Sequence, residues 1–363
     1  MLSVWLDGTP LLGGRTGIGR YTEHLVRELA ARNDVSVGVT AFTLRGAGGL
    51  PAAVPPGVAT RSLPIPARLL RRAWARTEQP PVWLLAGRSE VFHGTNFVLP
   101  PTGRAAGVVT VHDLTYLTHP ETVDAASREL LDLVPRSLRR AGAVATPTRA
   151  VADAVGDAYR IDSAKIVVTP LGVTRSWFDA APATREELRA WGLPPRYLLF
   201  VGAREPRKDL ATLLAAHAVA QAIEPDTAPL LLVGPDGWGG ADDARPRSDV
   251  RLAGYQDQRR LPAIVAAAEA LVLPSLYEGF GMPALEAMAA GTRTIVSDAA
   301  ALLEVTGGHA EVFTVRDVDA LADLLTPRAD EPSAPDRRRE WASGWTWQAC
   351  AEATMTAYRA AIG

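Results

Sequence analysis

Short apolar runs alternate along the chain with longer segments of helical period, the rhythm of βαβ units and parallel sheets. LSVWLD reads as a first strand and GGRTGIG as the turn after it. RYTEHLVRELAARN then sets Tyr21, Leu25, Val26 and Leu29 on one helical face. VSVGVTAFT, EVFHGTN, AAGVVTVHDL, AGAVATPT and KIVVTPLGV follow as strand candidates, and the Pro-rich residues 50–81 read as a loop over the first domain. A polar, Pro-containing passage from Val173 to Pro195 reads as a linker. A second series follows it: YLLFVGA, a helix near 210–223, APLLLVG, DVRLAGY, a helix near 261–268, ALVLPS and RTIVSD. The pattern predicts an α/β chain of two similar lobes, with ligands bound in a cleft at the carboxyl ends of the strands. There is no internal repeat and no low-complexity tract.

Composition narrows the function. The chain has 363 residues, long for one core and suited to two domains. Its 38 basic and 40 acidic residues give a net charge of −2, without the basic excess that bulk nucleic-acid binding requires. The single cysteine, Cys350, excludes a disulfide framework and a cysteine-based zinc site and fits a reducing cytosol. MLSVWLDGTPLL lacks a basic n-region and a long apolar run, and no uncharged apolar stretch reaches the ~20 residues needed to span a bilayer. A cytoplasmic protein is expected, touching a membrane from one side at most.

The chemistry concentrates in Glu278 to Gly291, EGFGMPALEAMAAG. Pro283 suits a first helical position and Gly291 the residue after the last, which predicts a helix over 283–290. Gly279 and Gly281 open the preceding loop to close approach. The amides around Phe280, Gly281 and Met282, with the helix dipole, would form an anion site suited to phosphate. Glu278 precedes that site and Glu286 is expected in the first turn after it. A carboxylate beside a diphosphate is repelled by it, so both acids are expected to accept hydrogen bonds from sugar hydroxyls. By itself this is an ordinary strand–loop–helix junction.

A second feature converges on it. VGAREPRKDL ends the first strand of the same lobe and supplies Arg207 and Lys208. Arginine can chelate phosphate oxygens bidentately and lysine acts as a point charge. In the first lobe, Gly17 and Gly19 of GGRTGIGRY could bring backbone amides to a diphosphate. A dinucleotide fingerprint would need glycine or alanine where Thr22 stands, and an acid at the end of the second strand, which VSVGVTAFTLRG lacks. Nicotinamide binding is disfavoured.

The ordered set GIGRYTEHLVREL, VFHGTNFVLPP, VHDLTYLTHPE, VTPLGV, VGAREPRKDL and LYEGFGMPALEAMAAGT resembles retaining glycosyltransferases of family 4, which have the GT-B fold. The resemblance spans roughly residues 1 to 358, and its strongest element is the acid–x7–acid pair Glu278 and Glu286. It implies two Rossmann-like domains, 1–175 on the acceptor side and 176–345 for the nucleotide-sugar, with a closing helix over 346–363 crossing back. It also implies that Glu278 contacts the donor sugar and Glu286 the ribose. Arg207 and Lys208 would neutralise the departing diphosphate, Gly17 would approach the phosphates, and His112, beside Asp113, would lie near the donor sugar. Many relatives carry arginine directly after the glycine of the VG strand end. Here Ala203 follows Gly202, and Arg204 and Arg207 are the available substitutes.

No metal or other cofactor is required if Arg207, Lys208 and the helix terminus neutralise the leaving group. Asp317 and Asp319 read as an N-cap and helix start rather than a metal clamp. His93, Thr95 and Asn96 are acceptor-side candidates. The look of HGTNFVLPP, VHDLTYLTHPE and EPRKDL is closest to bacterial mannosyltransferases of surface polysaccharides, which suggests GDP-mannose; UDP-linked hexoses or N-acetylhexosamines stay open. Base selection would fall to backbone near Gly254 and Tyr255. The acceptor is a glycan, lipid-linked or small-molecule hydroxyl. ARLLRRAWAR puts Leu69, Leu70, Ala73 and Trp74 near one face among Arg68, Arg71, Arg72 and Arg76. That is either a basic helix resting on an anionic membrane or an ordinary surface helix. A sugar-nucleotide epimerase and a catalytically silent binding module are the rival readings.

Overall fold

A computed structural model describes residues 1–13, 17–43, 46–237 and 249–363. The chain forms two compact units. The first comprises residues 1–118, 125–172 and 347–363, and the second residues 119–124 and 173–346.

In the first unit, β1 (Leu2–Asp7), β2 (Val35–Phe42), β3 (Ala59–Leu63), β4 (Val91–Gly94), β5 (Ala106–Thr110), β6 (Ala143–Thr146) and β7 (Ile166–Val168) make one parallel sheet. Their order is β3-β2-β1-β4-β5-β6-β7. The chain moves outward from β1 to β3 and then returns to β4 on the other side of β1. That reversal creates a switch point between β1 and β4, where open α/β sheets bind ligands. The strand β3 corrects the reading of residues 50–81 as loop. ATRSL is short, polar and half exposed at the sheet's edge, so it carries no apolar run to announce it.

The second unit repeats the plan with β8 (Leu198–Val201), β9 (Leu230–Val233), β10 (Val250–Gly254), β11 (Ala270–Leu273), β12 (Thr294–Ser297) and β13 (Glu311–Phe313). The order is β10-β9-β8-β11-β12-β13, all parallel, so its switch point falls between β8 and β11. The central strands LLLV and ALVL are buried throughout, as strands covered on both faces must be.

Helices cover both sheets. Gly17–Ala30 buries Tyr21, Leu25, Val26 and Leu29, the face its spacing predicts. The closing helix, Trp347–Ile362, packs in the first unit on β4 to β7, and its Trp347 stacks on His24 with ring centres 4.6 Å apart. No helix among the described residues is long and apolar enough to cross a membrane.

Candidate active site

In the second unit, the loops after β8 and β11 leave the sheet side by side, because those strands are neighbours. Close backbone approach shapes the first of them: a Cβ on Gly234 would lie 2.0 Å from the Gly202 carbonyl oxygen. The loop continues into a single tight turn, Pro206–Lys208, closed by Asp209 at φ 45°. Leu276 donates its N–H to the Arg207 carbonyl at 2.9 Å, joining the two loops.

This brings three predicted residues together. Glu278 Oε1 accepts from Lys208 Nζ at 2.5 Å and from Ser275 Oγ at 2.7 Å. Its Oε2 accepts from an Arg207 terminal nitrogen at 2.8 Å, which also donates to the Tyr277 carbonyl at 2.8 Å. The other Arg207 terminal nitrogen lies 3.4 Å from Glu205 Oε2. Lys208 and Glu278 are only 8% and 7% exposed, so the contact is a buried ion pair. Burial alone would raise the Glu278 pKa, but Arg207 and Lys208 outweigh it and hold the carboxyl at about 2. Burial, aided by Arg207, pushes the Lys208 ammonium down while Glu278 pulls it up. One N–H of three on Lys208 serves Glu278, so the cation keeps donors for an incoming anion. In this structure Glu278 holds the two cations in place, a partnership the sequence reading did not anticipate. Ser275 and Glu205 were also missed.

The motif helix is Met282–Ala290. Gly281 caps it at φ 93°, where a Cβ would meet Leu302 Cδ2 at 2.3 Å, so both backbone angle and space require glycine. Helix formation starts one residue earlier than expected, with Met282 first and Pro283 second. Glu286 therefore lies in the second turn rather than the first, 4% exposed on a helix buried from Ala284 to Ala290. Gly291 closes the helix at φ 80°, and Arg338 and Arg339 donate to its last carbonyls, favourable for the dipole. Phe280 packs edge-on against Trp345.

Other predicted residues stand apart from the cluster. Arg204 is paired with Asp236. Gly254, at φ 62°, ends β10 and accepts the Gly234 N–H, and Tyr255 beside it is 59% exposed. Asp317 accepts the Ala320 N–H at 2.9 Å as the N-cap of the helix Val318–Leu325. That is the capping role its sequence suggested.

In the first unit, His112 follows β5 and donates Nε2–H to the Thr95 carbonyl at 2.8 Å. Burial pushes this imidazole below its ordinary range, against Thr95 and Asp113, so the ring is neutral with its lone pair on Nδ1. Tyr21 and Phe97 stand edge-on to it at 5.0 and 5.4 Å. Asp113 accepts the Thr115 N–H at 2.9 Å, opening a short helix. Gly17 begins the helix Gly17–Ala30 and Gly19 is in its first turn, so the pair is helical rather than loop. Gly14, Arg15 and Thr16 of the same motif lie outside the described residues.

Two acceptor-side candidates are corrected. His93 is fully buried, bonded through Nδ1 to Tyr358 Oη at 2.9 Å and through Nε2 to Thr110 Oγ1 at 2.7 Å, with burial pushing it to about 3. It ties the closing helix to the sheet. Thr95 is also buried, its hydroxyl donating to the Asp7 carbonyl at 2.6 Å. Asn96 keeps partial exposure. The helix Ala67–Trp74 likewise turns its apolar residues inward. Leu70 and Trp74 are core, and Trp74 donates to the Pro80 carbonyl, leaving Leu69 at 57% exposure.

Solved structures define the class. The sucrose-phosphate synthase of Thermosynechococcus elongatus matches at a TM-score of 0.74 with 21% identity, over 99% of this chain and 98% of that one. HepE from Anabaena, solved in complex with UDP and glucose, matches at 0.69 with 15% identity, over 98% and 99%. The architecture is GT-B, two parallel-sheet α/β domains. The sequence assigns the family. Residues 195–327 match the model described as glycosyl transferases group 1, and residues 16–172 the glycosyl transferase 4-like domain. The O-antigen chain mannosyltransferase B of Escherichia coli is 30% identical over 307 residues, 80% of this chain and 77% of that protein. The chain belongs to this group 1, family 4-like group of glycosyltransferases, and it is a glycosyltransferase.

Proposed function

We propose that this enzyme transfers a hexose, with mannose from GDP-mannose preferred, to a hydroxyl on a glycan, lipid-linked or small-molecule acceptor, retaining the anomeric configuration and requiring no metal. The observation that carries the reading is the buried Glu278–Arg207–Lys208 cluster at the switch point of the second unit. Cleavage at the anomeric carbon builds negative charge on the leaving diphosphate, and preorganised cations stabilise that charge. Lys208 and Arg207 are held ready by Glu278, which stands four residues before the start of the helix Met282–Ala290. Glu286 would take the ribose, and the neutral His112 would offer Nδ1 to a sugar hydroxyl. The similarity to the Escherichia coli mannosyltransferase supports mannose as the transferred sugar.

A UDP-hexose donor is the second reading, favoured by the UDP and glucose bound to HepE. Donor hydrolysis measured over a panel of GDP- and UDP-sugars separates the two. The proposal expects turnover of GDP-mannose above every UDP-sugar, and turnover of UDP-glucose alone would move the assignment to the second reading. Work at the cytoplasmic face of a membrane fits a lipid-linked acceptor, and contact through residues 68–76 would be electrostatic because Leu70 and Trp74 face the core.

A further inference from the structure

The arginines of the helix Ala67–Trp74 have a second setting. Between that helix and the first turns of the helix Leu130–Arg140 lies a surface cavity of about 360 Å³, lined by Arg71, Arg72, Arg76, Arg136, Glu129 and Asp132. Four guanidiniums against two carboxylates give its wall a formal charge of +2, in a chain whose net charge is −2. Elsewhere arginines close on acids, as Arg140 does on Glu78 at 2.8 Å, Arg196 on Glu269 at 2.6 Å and Arg293 on Glu311 at 2.5 Å. Among the described residues, none of the four cavity arginines makes an ion pair, although two acids share its wall. Cations grouped and left unpaired repel one another, and an anion between them relieves that repulsion. Guanidinium forks match phosphate oxygens bidentately.

The position is informative too. The helix Ala67–Trp74 leaves β3 at the carboxyl edge of the first parallel sheet, the edge at which β1 ends in Asp7. The Asp7 carbonyl accepts the Thr95 hydroxyl, and the Thr95 carbonyl accepts His112 Nε2–H. Cavity and His112 therefore belong to the same edge of the first sheet. We propose that this cavity is an anion subsite that takes a phosphate or diphosphate group of the acceptor, whether that group is borne by a lipid or by a free sugar phosphate. The inference rests on the transferase reading above, in which the first unit serves the acceptor.

Calorimetric titration of the full chain with inorganic pyrophosphate at low ionic strength tests it. Two classes of site are expected, one at the donor cluster and one in the cavity. Arg72→Ala/Arg136→Ala removes the cavity class, weakening it at least about tenfold through the loss of charge-assisted hydrogen bonds, while donor hydrolysis stays unchanged. Arg72→Lys/Arg136→Lys, which keeps charge without the fork, gives an intermediate loss. Lys208→Ala removes the donor class alone, so a failure of the donor assignment reads out separately from a failure of the cavity. Retention of both classes at unchanged affinity in the folded double-alanine variant overturns the proposal. Sedimentation with phosphatidylglycerol vesicles then distinguishes the source: retention lost in the double-alanine variant assigns the anion to a lipid headgroup, and pyrophosphate binding without vesicle retention assigns it to a soluble phosphorylated acceptor.

Discussion

Replacing Lys208 by alanine separates the catalytic use of the ion cluster from its structural use. The Nζ of Lys208 lies 2.5 Å from Glu278 Oε1 in an 8%-exposed position. Its removal does not orphan the carboxylate: Oε1 keeps Ser275 at 2.7 Å and Oε2 keeps Arg207 at 2.8 Å. The stability cost is therefore that of one charge-assisted hydrogen bond, about 1.5–3 kcal/mol, less the desolvation cost that Lys208 no longer bears. For a unit of this size that lowers Tm by at most roughly 3–12 °C. On the proposed function the barrier cost is larger, because the lost cation would act on charge that develops only during cleavage. About 2.7–4 kcal/mol, or a fall in kcat of about 10²–10³-fold, is expected. The assay is donor hydrolysis by the purified variant beside a thermal melt. A folded Lys208→Ala protein that loses less than about threefold in turnover refutes the reasoning, since that is under 1 kcal/mol of barrier.

Four further outcomes follow from the same geometry. Glu278→Ala leaves Arg207 and Lys208 buried without their shared anion, so it should cost more stability than Lys208→Ala, about 3–5 kcal/mol in chemical denaturation. Because the Glu278 carboxyl is held at about 2 rather than at its ordinary 4.5, its contribution is full above pH 4.5 and is lost as pH falls towards 2. Denaturation midpoints across that window should drop less steeply in Glu278→Gln than in the native protein, and parallel curves would contradict the assignment. Gly281→Ala forces a Cβ to within 2.3 Å of Leu302 Cδ2 at φ 93°, and a melt should show about 1–3 kcal/mol of destabilisation. Tyr358→Phe removes the hydroxyl on His93 Nδ1 and should lower stability by about 1–3 kcal/mol while donor hydrolysis stays near native, as befits a residue that fastens the closing helix.

How much of this was legible in the sequence depended on distance along the chain. Strands covered on both faces announce themselves as unbroken apolar runs, and LLLV and ALVL were read directly. Edge strands do not: ATRSL and EVF are short, polar and partly exposed, and the first was taken for loop while the second was passed over. The helix Met282–Ala290 was read to within a residue because Pro283 and Gly291 bracket it. That small offset still moved Glu286 out of the first turn. Glu278, Arg207 and Lys208 were each picked out and expected at one anion pocket, yet their direct ion pairing was not, since Glu278 lies about 70 positions from the two cations and meets them only because β8 neighbours β11. His93 misled for the same reason. Its partner Tyr358 stands 265 residues away on the closing helix, so a core histidine looked like a surface one. The helix Ala67–Trp74 shows the limit of amphipathic pattern: the spacing of Leu70 and Trp74 was right, but what covers them is their own domain.

The most direct measurement is the structure of the enzyme with a nucleoside diphosphate bound. The account predicts phosphate oxygens within hydrogen-bond reach, about 2.7–3.2 Å, of Lys208 Nζ and of the amides at the start of the helix Met282–Ala290, with Glu286 on the ribose. A nucleotide bound elsewhere, with Lys208 still closed on Glu278 alone and Glu286 out of contact, would contradict it.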